Sequence, residues 1–98
     1  MAQVQVTRRA FADLERLFEF IAQTDPARAR RQMLSVRGAL EFLADHPLMG
    51  RDAEAGRREL VISRGRDAYV AKYRWLPSED TVLVLTIRHA REAGLPEE

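Results

Sequence analysis

The sequence predicts an α+β domain of order β-α-α-β-β-β, a helical hairpin packed on one face of a small, mostly antiparallel sheet. Two observations carry this. Apolar residues recur at spacings of three and four up to about residue 43, and from Arg58 onward the pattern gives way to short runs rich in β-branched and aromatic residues. Helices gathered at one end of a chain and strands at the other are the mark of that class.

The short alternating start, Ala2 to Val6, reads as a strand through Val4 and Val6. Phe11, Leu14, Phe18 and Ile21 then form the stripe of an amphipathic helix, with Thr7 placed to cap its first turn. In "QTDP", Asp25 is a good N-cap and Pro26 a good first residue, so a second helix follows a tight turn. Its stripe is Ala29, Met33, Val36, Leu40 and Leu43, and Pro47 ends it by disfavouring helix at His46. His46 reads as a helix C-terminal residue near the last carbonyls. The stretch "PLMGRDAEAG" reads as a loop.

"RELVIS", "AYVAKYRW" and "TVLVLTIRH" read as a three-strand meander joined by "RGRD" and "LPSED". Alternation in the second of these puts Tyr69, Ala71, Tyr73 and Trp75 on the face toward the helices, and Val70, Lys72 and Arg74 on the other. "TVLVLTI" is apolar on both faces, as a strand inside the sheet should be.

Residues 1–98 are enough for one domain with one core. With no cysteine there is no disulfide framework, thiolate nucleophile or zinc-thiolate site, and the two histidines have no metal-ligand spacing; no metal or cofactor is expected. No apolar run reaches the roughly 20 residues of a membrane span, and Met1 to Val6 lacks a signal-peptide layout, so the expected place is the cytoplasm, with no membrane partner. No zinc-finger spacing, RNP signature or Gly-rich phosphate loop is present.

The net charge of +1 conceals an asymmetry. Residues 57–91 hold Arg57, Arg58, Arg64, Arg66, Lys72, Arg74, Arg88 and Arg91 against Glu59, Asp67, Glu79 and Asp80. That half of the chain favours an anionic partner. Those eight cations are the candidate binding residues, with Arg64 and Arg66 in a turn at Gly65 and Lys72 and Arg74 on one strand face. The plainer reading of each is a solvated charge.

The element order, with "HPLMGR" after the second helix, "RREL" opening the sheet, "YVAKYRW" in the next strand and "IRHAR" closing the last, resembles the RelE/ParE family of toxins from bacterial type II toxin-antitoxin systems. The resemblance is to the ParE-like, plasmid-stabilisation members, and implies a small cytosolic toxin that forms a hetero-oligomer with a cognate antitoxin (ParD-like or similar). RelE-like members cut messenger RNA on the ribosome, whereas ParE-like members poison DNA gyrase without catalysis. In RelE-like nucleases the activity depends on two lysines at alternate positions of one strand, an arginine in the next, another after the last strand, and a tyrosine near the C-terminus.

With Tyr69 and Tyr73 aligned to the family's tyrosines, the lysine positions fall on Glu59 and Val61 and the arginine position on Val70; no tyrosine follows Tyr73. A carboxylate at a phosphate-binding position repels the substrate. The resemblance therefore implies gyrase inhibition by protein binding, without catalytic residues. The alternative is a ribosome-dependent mRNA endonuclease with a divergent site built on His89, histidine being the commonest general base, and Arg91. A third reading is a toxin fold that has lost toxicity and persists as a binding module.

Overall fold

The computed structural model describes residues 1–63 and 68–90. The elements are β1 (Gln3–Val6), α1 (Arg8–Ala22), α2 (Pro26–Phe42), β2 (Arg51–Asp52), β3 (Arg58–Ile62), β4 (Tyr69–Leu76) and β5 (Thr81–His89). They form one five-stranded sheet of order β1-β5-β4-β3-β2, in which β1 runs parallel to β5 and the other pairs are antiparallel.

The helices begin where the sequence places them. Thr7 Oγ1 accepts from the Ala10 amide at 3.1 Å, and Asp25 Oδ1 accepts from the Arg28 amide at 3.0 Å. The buried stripe of α1 is Ala10, Leu17 and Ile21, with Leu14 and Phe18 packed against it. Phe11 is 57% exposed, a departure from the expected stripe. At 100° per residue Phe11 lies on the flank of the arc centred on Ala10, Leu14, Leu17 and Ile21. On α2, Ala29, Val36 and Leu40 are buried as expected, as is Leu43 at its C-cap, with Met33 partly so.

Tyr69, Ala71 and Tyr73 are fully buried in the same core cluster, and Trp75 packs against it, so this face of β4 meets the hairpin. The stretch expected to be only loop contains β2, a two-residue strand on the sheet edge opposite β1, followed by a 3-10 turn at Glu54–Gly56. Two residues with little apolar character leave almost no strand signal. Among the described residues no helix is long and apolar enough to cross a membrane.

One irregularity decides where side chains point on β5. Lys72 is opposite Thr86 but Tyr73 is opposite Val84, so Leu85 is an extra residue in β5. Val82 and Val84 face the core before the bulge; after it Ile87 does, with His89 following in phase and Arg88 on the opposite face. β1 stops pairing at Val84, and α1 and its N-cap supply side chains beyond it: Thr7 Oγ1 donates to the Leu85 carbonyl at 3.2 Å, and Asp13 Oδ2 accepts from the Ile87 amide at 2.9 Å.

Candidate functional site

The sheet face turned away from the helices is the candidate surface. The register sets Glu59 opposite Lys72, Val61 opposite Val70, and Val70 in turn opposite Arg88. All five side chains lie on this face by alternation from the buried Ala71 and Tyr73. The three positions matched to nuclease cations therefore sit together, and they hold one carboxylate and two valines.

The Glu59 carboxylate is bonded to Arg51 at 3.0 Å, with its side chain only 12% exposed. The two residues are cross-strand partners between β2 and β3. Arg57 and Lys72 join this pair in lining a cleft of about 510 Å3, together with Asp52, Ala53 and Glu54. Three cations, Arg51, Arg57 and Lys72, thus share the cleft with three carboxylates, Asp52, Glu54 and Glu59. Such a balanced cleft attracts a polyanion weakly, and suits a partner that carries both charges.

The remaining predicted residues separate. Arg74 lies on the same face as Lys72, beside the turn: a side chain on Gly56, whose φ is +73°, would come 3.7 Å from the Arg74 guanidinium. Arg58 alternates to the other face, where it donates to the Gly50 carbonyl at 2.6 Å and to Leu48 O at 3.4 Å, and pairs with Asp52 at 3.3 Å. Its charge holds the loop after α2 against the sheet. Arg64, Arg66 and Arg91 lie outside the described residues.

Tyr73 completes that anchorage. Its hydroxyl donates to the Pro47 carbonyl at 2.7 Å and accepts from the Gly50 amide at 2.9 Å. Burial pushes the phenol above its ordinary pKa, against the smaller opposing pull of the Gly50 N–H and the Arg58 charge. Gly50 is required by this contact, because a Cβ there would lie 2.8 Å from the Glu59 carbonyl and from the Tyr73 ring and hydroxyl. "HPLMG" is thus a docked loop, which keeps β2 and the cleft in place.

His89 belongs to the other side of the sheet. Its ring meets Tyr69 edge to face at 5.3 Å and lines an apolar cavity of about 480 Å3 with Arg16, Leu17, Phe20, Ile21 and Arg28. Strand alternation beyond the bulge at Leu85 puts it on the face opposite Arg88 and Lys72, so the described residues do not assemble a histidine base with those cations. Sequence reasoning missed Arg51, whose pairing with Glu59 depends on a strand too short to be recognised. It also passed over Arg16 and Arg28, which border the cavity of His89 from the two helices.

Two helices packed on a five-stranded, mostly antiparallel sheet make up the RelE/ParE-like toxin fold, which solved structures share. A chain of a chromosomal ParDE toxin-antitoxin system from P. aeruginosa superposes with a TM-score of 0.77 at 22% identity, over 91% of this chain and 96% of that one. The intact E. coli RelBE toxin-antitoxin complex contains a chain matching at 0.63 and 12% identity, over 92% and 98%. The family model described as the ParE toxin of the type II toxin-antitoxin system parDE matches residues 4–94, and this chain belongs to that family. Relatives named Toxin RelE2 and Toxin RelE3 from Caulobacter vibrioides are 40% identical (92% of this chain, 97% of the relative) and 35% identical (94% and 98%). It is thus a type II toxin of the ParE/RelE family.

Proposed function

We propose that this toxin acts in the cytoplasm by binding a protein target, DNA gyrase, and that a cognate ParD-like antitoxin neutralises it in a hetero-oligomer. The observation that carries the reading is the triad Glu59, Val61 and Val70, gathered on one sheet face. Metal-free RNA cleavage needs cations on the phosphorane and a base at the 2′-hydroxyl. Two valines supply neither, and a largely buried carboxylate bonded to Arg51 opposes the first. The ParE family match supports the same choice, and the ParDE and RelBE neighbours come from toxin-antitoxin assemblies, which supports the antitoxin.

The reading as a ribosome-dependent endonuclease is favoured by the RelE names of the Caulobacter relatives, and one experiment separates the two. Purified toxin is added to a gyrase supercoiling assay and, in parallel, to translating ribosomes carrying a defined message. Loss of supercoiling with intact message is expected. Message cleavage that disappears in His89→Ala would overturn the proposal.

A further inference from the structure

Helix α2 carries apolar residues on two opposite sides. Ala29, Val36 and Leu40 are buried toward the core, whereas Leu34 and Phe42 stand 65% and 46% exposed on the far side. They lie one turn to either side of Gly38, because residues four apart share a helix face. A Cβ at Gly38 would meet nothing within 4 Å, and its φ is not in the left-handed region, so neither packing within the chain nor backbone geometry calls for glycine there. Glycine in mid-helix weakens a helix relative to alanine. What it provides is a notch between two apolar knobs, into which a second helix backbone can come close.

The charges along this ridge select the occupant. Arg31 lies two turns before Gly38 and Asp45 two turns after it, since the chain keeps turning past the end of α2 through backbone bonds from Asp45 and His46 to the Phe42 carbonyl. Both are exposed, and neither has an ion pair among the described residues. If the helix is laid antiparallel on itself about Gly38, Leu34 of one copy meets Phe42 of the other, glycine meets glycine, and Arg31 meets Asp45 twice. A surface complementary to itself under a two-fold rotation is what an isologous dimer requires.

We propose that two copies of this toxin associate through antiparallel α2 helices that cross at Gly38. A single helix pair buries area near the lower bound of about 1,000 Å2 for specific interfaces, so the dimer is weak and reversible, with dissociation in the micromolar range. Association hides Leu34 and Phe42, and leaves the open sheet face accessible.

The test is sedimentation velocity on the purified full chain over two decades of concentration around the micromolar range. The expected result is a concentration-dependent shift from one chain to two. Gly38→Arg should abolish it while keeping or raising the melting temperature, since arginine is the better helix former. Arg31→Asp and Asp45→Arg should each weaken dimerisation roughly tenfold or more, through two repulsive pairs per interface. The double variant should restore it, which a contact not related by this two-fold would not do. A wild-type chain that stays monomeric throughout overturns the proposal, as does a dimer that survives Gly38→Arg. Loss of antitoxin capture in Gly38→Arg, with a monomeric wild type, would assign the ridge to the antitoxin instead.

Discussion

The Tyr73 hydroxyl, from the middle of the sheet, donates to Pro47 O and accepts from the Gly50 amide, so a single side chain closes both ends of the "PLMG" turn. Tyr73→Phe removes the donor and the acceptor together and leaves two backbone groups in a partly buried place. The expected cost is about 1–3 kcal/mol, read as a lower urea midpoint at unchanged slope. The raised pKa of this phenol also makes a pH prediction. The unfolded chain releases the proton first, near 10.0, while the folded chain still holds it, so this contribution is intact below pH 10.0 and is lost as pH rises through the folded value. Denaturation followed across that range should show a decline in the wild type that is shallower in Tyr73→Phe. An equal slope in both would mean that the hydroxyl is not what senses the pH.

At the scale of elements, legibility followed periodicity. Both helix starts could be read, because a cap is a local pairing of residue type with position, as at Thr7 and Asp25. The burial of Tyr69, Ala71 and Tyr73 followed from strict alternation in β4. β5 was different: "TVLVLTI" is apolar on both faces, so nothing in it marks the extra residue at Leu85 that turns Ile87 and His89 toward the helices. Alternation put Val70 on the face away from the helices, whereas bringing Glu59 and Val61 beside it depends on the register between β3 and β4, and the capture of Arg58 by the loop carbonyls depends on a contact across the fold. The side-chain supports from α1 where β1 ends belong with such long-range features, and one of them is testable. Asp13→Ala leaves the Ile87 amide without its acceptor, and unfolding by urea should show a loss of about 1–3 kcal/mol. Asp13→Asn keeps an acceptor oxygen and should recover most of it. Two variants of equal stability would show that the amide finds another partner.

For the molecule as a whole, the sheet divides the chemistry between two sides, and that division predicts how toxicity responds to mutation. Arg57 and Lys72 line the cleft on the open face, whereas His89 lines the cavity on the helix side. If the toxin works by docking the open face on a protein, replacing cations there should act on affinity, and a histidine behind the sheet should matter little. The double change Arg57→Glu and Lys72→Glu alters the cleft from three cations and three carboxylates to one and five. Like charges across an interface cost several kcal/mol, so colony formation under induction should be restored by this pair. His89→Ala should leave growth arrest intact. A folded, soluble double variant that still arrests growth would place the target elsewhere on the molecule. Arrest that vanishes with His89→Ala, at unchanged melting temperature, would instead move the active surface to the cavity side, where Arg16 and Arg28 border the histidine and a catalytic reading would have to be rebuilt.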